Sequence, residues 1–310
     1  MRVIITGGTG LIGRALANSL AHDHHEVIVL SRNTNKTSGL DGTVKVVGWD
    51  GRTAQGWGSL VDGAGAIVNL AGESIAGEGF PPSRWTKERK KRIVESRLNA
   101  GKAVVEAITA ATNKPEVLIQ SSAVGYYGTH GSEDITEDHA PGDDFLARTC
   151  VQWEAVTAPV EKMGVRRVII RTGILMSTKG GVLPQLSIPF KLFVGGRIGD
   201  GKQQMPWIHI DDEVGAIRFL IDTPSASGAY NLSAPEVLSD AELGTVLGRV
   251  YKRPSFFPTP AFVFKLAFGE LAILLTEGQR AVPKRLQEAG YQFLYPKAEP
   301  ALKELVINGK

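Results

Sequence analysis

Short apolar runs alternate with stretches of helical period along the first 176 residues. Residues 2–5 are β-branched at Val3, Ile4 and Ile5, which predicts a strand buried on both faces. Behind it Leu11, Ile12, Ala15, Leu16 and Leu20 recur at helical spacing. Further apolar runs predict strands over 26–30, 44–47, 66–72, 116–120 and 165–170. Between them Ile93, Val94, Leu98, Ala100, Ala103, Val104 and Ile108 supply the apolar face of a long helix over 86–111. A more polar helix is predicted over 145–163. Strands alternating with helices predict an α/β fold: a Rossmann-type, doubly wound parallel sheet with helices on both faces and right-handed crossovers.

The texture changes near residue 177. Gly180, Gly181, Gly195, Gly196, Gly199 and Gly201 predict a loop-rich region. Residues 207–213 predict a short strand entering a helix with Asp211 as N-cap, and 229–233 another strand. The last fifty residues read as helices with turns at Gly278 and Gly290, interrupted by an aromatic segment over 290–295. The expected division is a nucleotide-binding domain over 1–176, rejoined by about 206–224, and a smaller C-terminal α+β region over 177–310.

Composition narrows the function classes. With 43% hydrophobic and 22% charged residues the chain can build a large core. A net charge of +3 gives no electrostatic case for nucleic acid, and the basic run 87–92 reads as a solvated helix face. The single cysteine, Cys150, excludes an internal disulfide and predicts the cytoplasm or another reducing compartment. The chain opens directly in its first strand, so no targeting segment is expected within it, although a removed one would leave the same start. The longest apolar stretch, 261–275, contains Lys265 and Glu270, which argues against a membrane span. No metal is expected; the partner expected is a small molecule.

The glycines after the first strand carry the strongest chemistry. Gly7, Gly10 and Gly13 follow a G-x-x-G-x-x-G spacing between strand and helix. Gly7 allows a sharp turn, Gly10 lets a pyrophosphate approach the backbone, and Gly13 lets the helix pack on the strand. The positive helix end with its free N–H groups then faces the phosphates. A glycine turn in an ordinary βαβ unit would look alike. At the end of the second strand stand Ser31 and Arg32 rather than an acidic residue, which favours NADP over NAD. Arg32 can pair with a 2′-phosphate and Ser31 can donate a hydrogen bond, while a plain surface arginine is the bland alternative. The fourth strand runs into the small residues Ala71 and Gly72, against which a ligand could lie.

In combination, residues 6–13, 69–72, 121–123 and 207–212 resemble the extended short-chain dehydrogenases/reductases, the NAD(P)-dependent epimerase/dehydratase family. The motifs Glu95-Ser-Arg97, Tyr126-Tyr127, Trp153-Glu154, Arg171-Thr-Gly173, Pro206-Trp-Ile-His209 and Glu277-Gly-Gln279 resemble an atypical subgroup known as epimerase family proteins. Residues 290–296 resemble that subgroup's C-terminal domain of uncharacterised function. The resemblance implies NADP along Gly7, Thr9, Gly10, Leu11, Ile12, Gly13, Ser31, Arg32, Leu70, Ala71, Gly72, Arg92, Arg97 and Leu175.

The chain also departs from that family. Its usual apparatus is a Ser or Thr with a Tyr-x-x-x-Lys pair, in which the Lys lowers the Tyr pKa and the Tyr moves the proton. Ser122 fits the serine position, but counting back from Glu154 leaves Cys150 where Lys belongs and Leu146 where Tyr belongs. No other Tyr-x-x-x-Lys occurs. Tyr126 or Tyr127 could supply the phenol, with Arg148 or Arg171 as candidate cations. Asp143, Asp144 or His209 could serve as base, although a packed structural role is the commoner fate of such a histidine. Lys202, Gln203, Gln204 and His209 would face the substrate. The two functional expectations are an NADP-dependent oxidoreductase or epimerase using Ser122 and a tyrosine, and a catalytically silent NADP(H) sensor or scaffold, as cell-division labels on some relatives would suit.

Overall fold

The computed structural model describes residues 1–35, 37–77 and 82–309. The first half runs β1 (Arg2–Thr6), α1 (Leu11–His22), β2 (Glu26–Ser31), β3 (Lys45–Gly48), β4 (Ala66–Asn69), α2 (Lys87–Ala110), β5 (Val117–Ala123), β6 (Asp134–Ile135) and α3 (Phe145–Ala155). The chain continues through β7 (Arg166–Thr172), β8 (Ile174–Met176), α4 (Leu183–Lys191), β9 (Gln204–Met205), β10 (Trp207–His209), α5 (Ile210–Asp222) and β11 (Gly228–Leu232). It closes with β12 (Leu238–Ser239), α6 (Asp240–Tyr251), α7 (Ala261–Phe268), α8 (Ile273–Thr276), β13 (Arg280–Ala281), α9 (Lys284–Glu288) and α10 (Ala298–Asn308).

Seven strands form one parallel sheet in the order β11-β7-β5-β4-β1-β2-β3. The chain starts at the centre, winds outward to β3, then returns to β4 and winds the other way. The order therefore reverses beside β1, and ligands of such sheets sit at the carboxyl ends of the strands at that point. Alternate residues of β1 serve opposite cores. Val3 and Ile5 pack with α1 and α5, whereas Ile4 packs with Trp57, Ala100, Val104 and Ile108 on the other side. Strands covered on both faces need apolar residues at every position, which is what the continuous run supplies. The register places Thr6 opposite Asn69, Asn69 opposite Gln120 and Ser122 opposite Arg171, so the polar residues share one end of the sheet.

Three local expectations need correction. The helix expected over 145–163 ends at Ala155, and a separate 3₁₀ turn covers Ala158–Met163. Pro159 explains the break: it lacks an N–H and disfavours a helical conformation in the residue before it. The N-cap of α5 is His209, not Asp211, because the His209 ring nitrogen accepts from the Asp211 N–H at 3.1 Å. The loop-rich region contains α4, whose Pro184 and Pro189 hide a helix from a reading by periodicity.

The C-terminal segment is fastened to the main sheet through α5. Asp212 has no solvent exposure, and its carboxylate accepts from the N–H groups of Leu294 and Tyr295 and from the Tyr291 hydroxyl. His209 is equally buried, meets Glu304 at 3.2 Å and stacks on Tyr295 with ring centroids 4.0 Å apart. Among the described residues no helix is long and apolar enough to cross a membrane.

Candidate active site

The glycine turn is tightly packed. Gly7 has φ +66°, and a Cβ on it would lie 2.9 Å from the Leu70 backbone. A Cβ on Gly13 would lie 2.5 Å from the Gly7 carbonyl oxygen, so helix and turn touch directly there. Gly10 is the N-cap of α1 and brings no capping side chain, which leaves first-turn N–H groups without a side-chain acceptor. Thr9, Leu11 and Ile12 are half-buried around it. Farther along, the 180–181 loop folds back over α1: a Cβ on Gly181 would sit 3.5 Å from Leu11 Cδ2 and 3.2 Å from the Leu175 carbonyl.

The strand ends beside this turn are joined by buried hydrogen bonds. Thr6 donates to Asn69 Oδ1 at 2.6 Å, Asn69 to Gln120 Oε1 at 2.9 Å, and Gln120 to the Ser121 carbonyl at 2.8 Å. Thr6 Oγ1 also accepts from the Ala71 N–H. This chain fixes where β4 delivers Leu70, Ala71 and Gly72. Arg97 is buried against Gly72, donates to the carbonyls of Glu73 and Ile93, and lies over the Trp153 ring at 4.7 Å. Arg92 is exposed and reaches the Glu73 carboxylate at 3.4 Å. Arg32 is exposed and has no hydrogen-bond or ion-pair partner among the described residues, whereas the Ser31 hydroxyl donates to the Asn33 carbonyl at 2.9 Å and accepts from the Asn33 N–H at 3.2 Å.

A second cluster lies at the ends of β5 and β7. Arg171 and Glu154 form a buried two-bond ion pair, with Nε–Oε1 and Nη2–Oε2 both at 2.9 Å. Burial works against the Arg171 charge, but Glu154 outweighs it and holds the guanidinium pKa above its ordinary value. Ser122 donates to Glu154 Oε1 at 2.7 Å. Arg171 Nη1 donates to the Tyr127 hydroxyl at 2.9 Å, and that hydroxyl donates to Asn231 Oδ1 at 2.7 Å. Burial pushes the Tyr127 phenol up to about 12 despite Arg171. Burial, with Glu154 nearby, also pushes the Cys150 thiol up to about 11, so the group standing where the lysine was expected is a neutral thiol.

The structure thus separates the expected acid–base residues. Ser122 and Tyr127 are buried at 3% and 1% exposure, with their hydroxyls engaged inside the protein. Tyr126 is half-buried, with its ring over the Arg171 guanidinium at 3.5 Å. Leu146 packs by Gly125. Asp144 caps α3 through the Ala147 N–H at 2.8 Å, and Asp143 and Arg148 are exposed. His209, expected to face the substrate, is instead buried between α5 and the C-terminal segment. Gln203 donates to the Ile198 and Leu275 carbonyls, Gln204 to the Lys202 carbonyl, and Lys202 is exposed. Residues 277–279 touch both β9 and the turn that carries the tyrosines: Gln279 donates to the Val124 carbonyl at 2.7 Å, and a Cβ on Gly278 would meet the Gln204 oxygen at 2.1 Å.

Sequence reasoning missed Glu137, which accepts from the N–H groups of Asn231 and Arg285, and Asn231 itself. One signal was available for the cluster as a whole. An arginine ending an apolar strand must meet an anion when the strand is buried.

The NAD dependent epimerase/dehydratase family matches residues 3–233. The chain belongs to that family. A domain of unknown function, DUF1731, matches residues 259–305. Epimerase family protein YfhF of Bacillus subtilis is 38% identical over 313 residues, covering 100% of this chain and 99% of the relative. The crystal structure of human epimerase family protein SDR39U1 with NADPH is 35% identical, with a TM-score of 0.88 over 99% of this chain and 100% of that one. A nucleoside-diphosphate sugar epimerase from Corynebacterium glutamicum is 34% identical, with a TM-score of 0.77 over 98% of this chain and 58% of that one.

Proposed function

We propose that this family member binds NADP(H) across the ends of β1, β2 and β4 and exchanges hydride with a small carbonyl or hydroxyl compound, as an oxidoreductase or epimerase. The observation that carries the reading is the turn at Gly7, Gly10 and Gly13, where a Cβ on Gly7 would strike Leu70 at 2.9 Å and α1 begins without a capping side chain. Arg32, exposed and unpartnered among the described residues, suits a 2′-phosphate. Leu70, Ala71 and Gly72 would flank the dinucleotide, with Arg97 buried behind Gly72. NADPH bound in this way supplies the hydride.

The chain's own contribution to chemistry falls to Tyr126. It carries a phenolic proton on a half-buried ring, with the Arg171 cation beneath it. Ser122 and Tyr127 hold Arg171 and Glu154 in place and are positioning residues in this reading. The single buried cysteine supports a reducing compartment.

A second reading is favoured by one specific observation: two of the three expected hydroxyls, those of Ser122 and Tyr127, are engaged internally around a site where a neutral thiol stands in the lysine position. In that reading the protein binds NADP(H) without turnover and acts as a sensor or scaffold. Titration with NADPH and NADH, followed by a carbonyl panel watched at the nicotinamide absorbance, separates the two. NADPH-selective binding with turnover that collapses in Tyr126→Phe supports the enzyme. Selective binding without turnover supports the silent protein. Failure to bind either dinucleotide refutes both.

A further inference from the structure

Between α4, α6 and α7 lies a cleft of about 220 Å³ whose walls include Leu186, Ile188, Val194, Leu243, Leu247 and Phe264. Among the described residues no lysine or arginine lines it. The one charged group in its wall among the described residues, Asp240, already accepts from the Ile198 N–H at 2.7 Å. A diphosphate would find no cation there, and each unmatched charge in an apolar wall would lose its hydration.

One wall of the cleft follows directly on the loop that covers the start of α1. Val182 lines it, and the preceding Gly181 is the residue that packs on Leu11 and on the Leu175 carbonyl. At its mouth, apolar surface stands in the open. Helix α7, Ala-Phe-Val-Phe-Lys-Leu-Ala-Phe, has no buried residue, and Ile188 and Val194 are 41% and 50% exposed. Ligand sites are mostly apolar concavities with few polar groups, and a contiguous exposed apolar rim beside one marks a binding surface.

We infer that this cleft takes the body of the substrate, and that the substrate is a lipophilic aliphatic or aryl carbonyl or alcohol rather than a sugar nucleotide. By comparison with a cavity of about 150 Å³ that admits benzene, the space suits roughly eight or nine carbon atoms. The inference rests on the oxidoreductase reading for what becomes of the bound molecule; occupation of the cleft stands apart from it.

The test is calorimetric titration of the full chain, with and without saturating NADP⁺, using 2-octanone and UDP-glucose as probes. The expected result is saturable binding of 2-octanone and none of UDP-glucose. Ile188→Asp and Phe264→Asp place a carboxylate at the partly exposed rim, so the fold is retained. Each weakens 2-octanone at least tenfold and leaves the melting temperature and NADPH affinity unchanged. UDP-glucose binding in preference, no binding of 2-octanone, or binding indifferent to both substitutions overturns the inference. If 2-octanone binds and responds to the substitutions while no dinucleotide binds, the cleft stands and the oxidoreductase reading falls.

Discussion

The Ser122 hydroxyl donates to Glu154 Oε1 at 2.7 Å, on the buried side of β5. This contact sets Ser122 apart from a group that polarises substrate. Ser122→Ala is expected to cost about 1–3 kcal/mol of stability, because a buried carboxylate oxygen loses a donor. Any turnover should fall by less than about tenfold, since the side chain faces Glu154. Urea denaturation and steady-state rates measured on one preparation check both halves; a collapse in rate at unchanged stability refutes the assignment.

Glu154 and Arg171 should matter more to the fold. Their side chains are 10% and 5% exposed, so removing one leaves the other as an uncompensated buried charge. Glu154→Gln is expected to destabilise by about 3–5 kcal/mol. The double variant Glu154→Gln, Arg171→Met should recover part of that loss, and chemical denaturation of the three proteins reads the coupling directly.

Arg32 should distinguish the two dinucleotides. Arg32→Ala is expected to weaken NADPH by about 2–3 kcal/mol, the scale of charge-assisted hydrogen bonds, and to leave NADH nearly unchanged. Parallel fluorescence titrations check this, and equal weakening of both cofactors refutes it.

Glu213 gives a pH signature. It is wholly buried, and desolvation raises its carboxyl from 4.5 to about 8, against the hydrogen bond that Thr172 donates. The folded protein therefore holds a proton that the unfolded chain releases above about pH 4.5. The stabilising contribution is complete below that pH and is lost as pH rises through about 8, a decline of a few kcal/mol. Unfolding free energies measured from pH 5 to 8.5 should fall for the native chain and fall less for Glu213→Gln.

Much of the fold was legible because its signals are local. The runs at 2–5, 26–30 and 66–72 are apolar at nearly every position, as strands covered on both faces must be, and all three supply strands of the sheet, the last ending at Asn69. The glycine turn was legible for the same reason. The break after Ala155 was also written locally, in Pro159, although the surrounding helical period masked it. The second cluster is different in kind. Ser122, Glu154, Arg171 and Asn231 come from four elements, and only the parallel register brings Ser122 beside Arg171. Spacing cannot reveal whether a serine faces a cleft or a buried carboxylate. The packed role that the sequence favours for His209 is the one it has, but its partners, Glu304 and Tyr295, lie some ninety residues away and could not be named.

The fastening at Asp212 bears on how the chain is made. A ribosome releases α5 well before residues 291–295, so for that interval a carboxylate destined for complete burial has none of the donors that will compensate it. The donors arrive with the cover: Tyr291, Leu294 and Tyr295 supply the hydrogen bonds to the carboxylate as their segment packs on α5. The region matched by the unknown-function domain thus brings both the lid and the hydrogen bonds for a carboxylate on a helix of the nucleotide-binding fold, so the two parts of the chain share one buried polar joint.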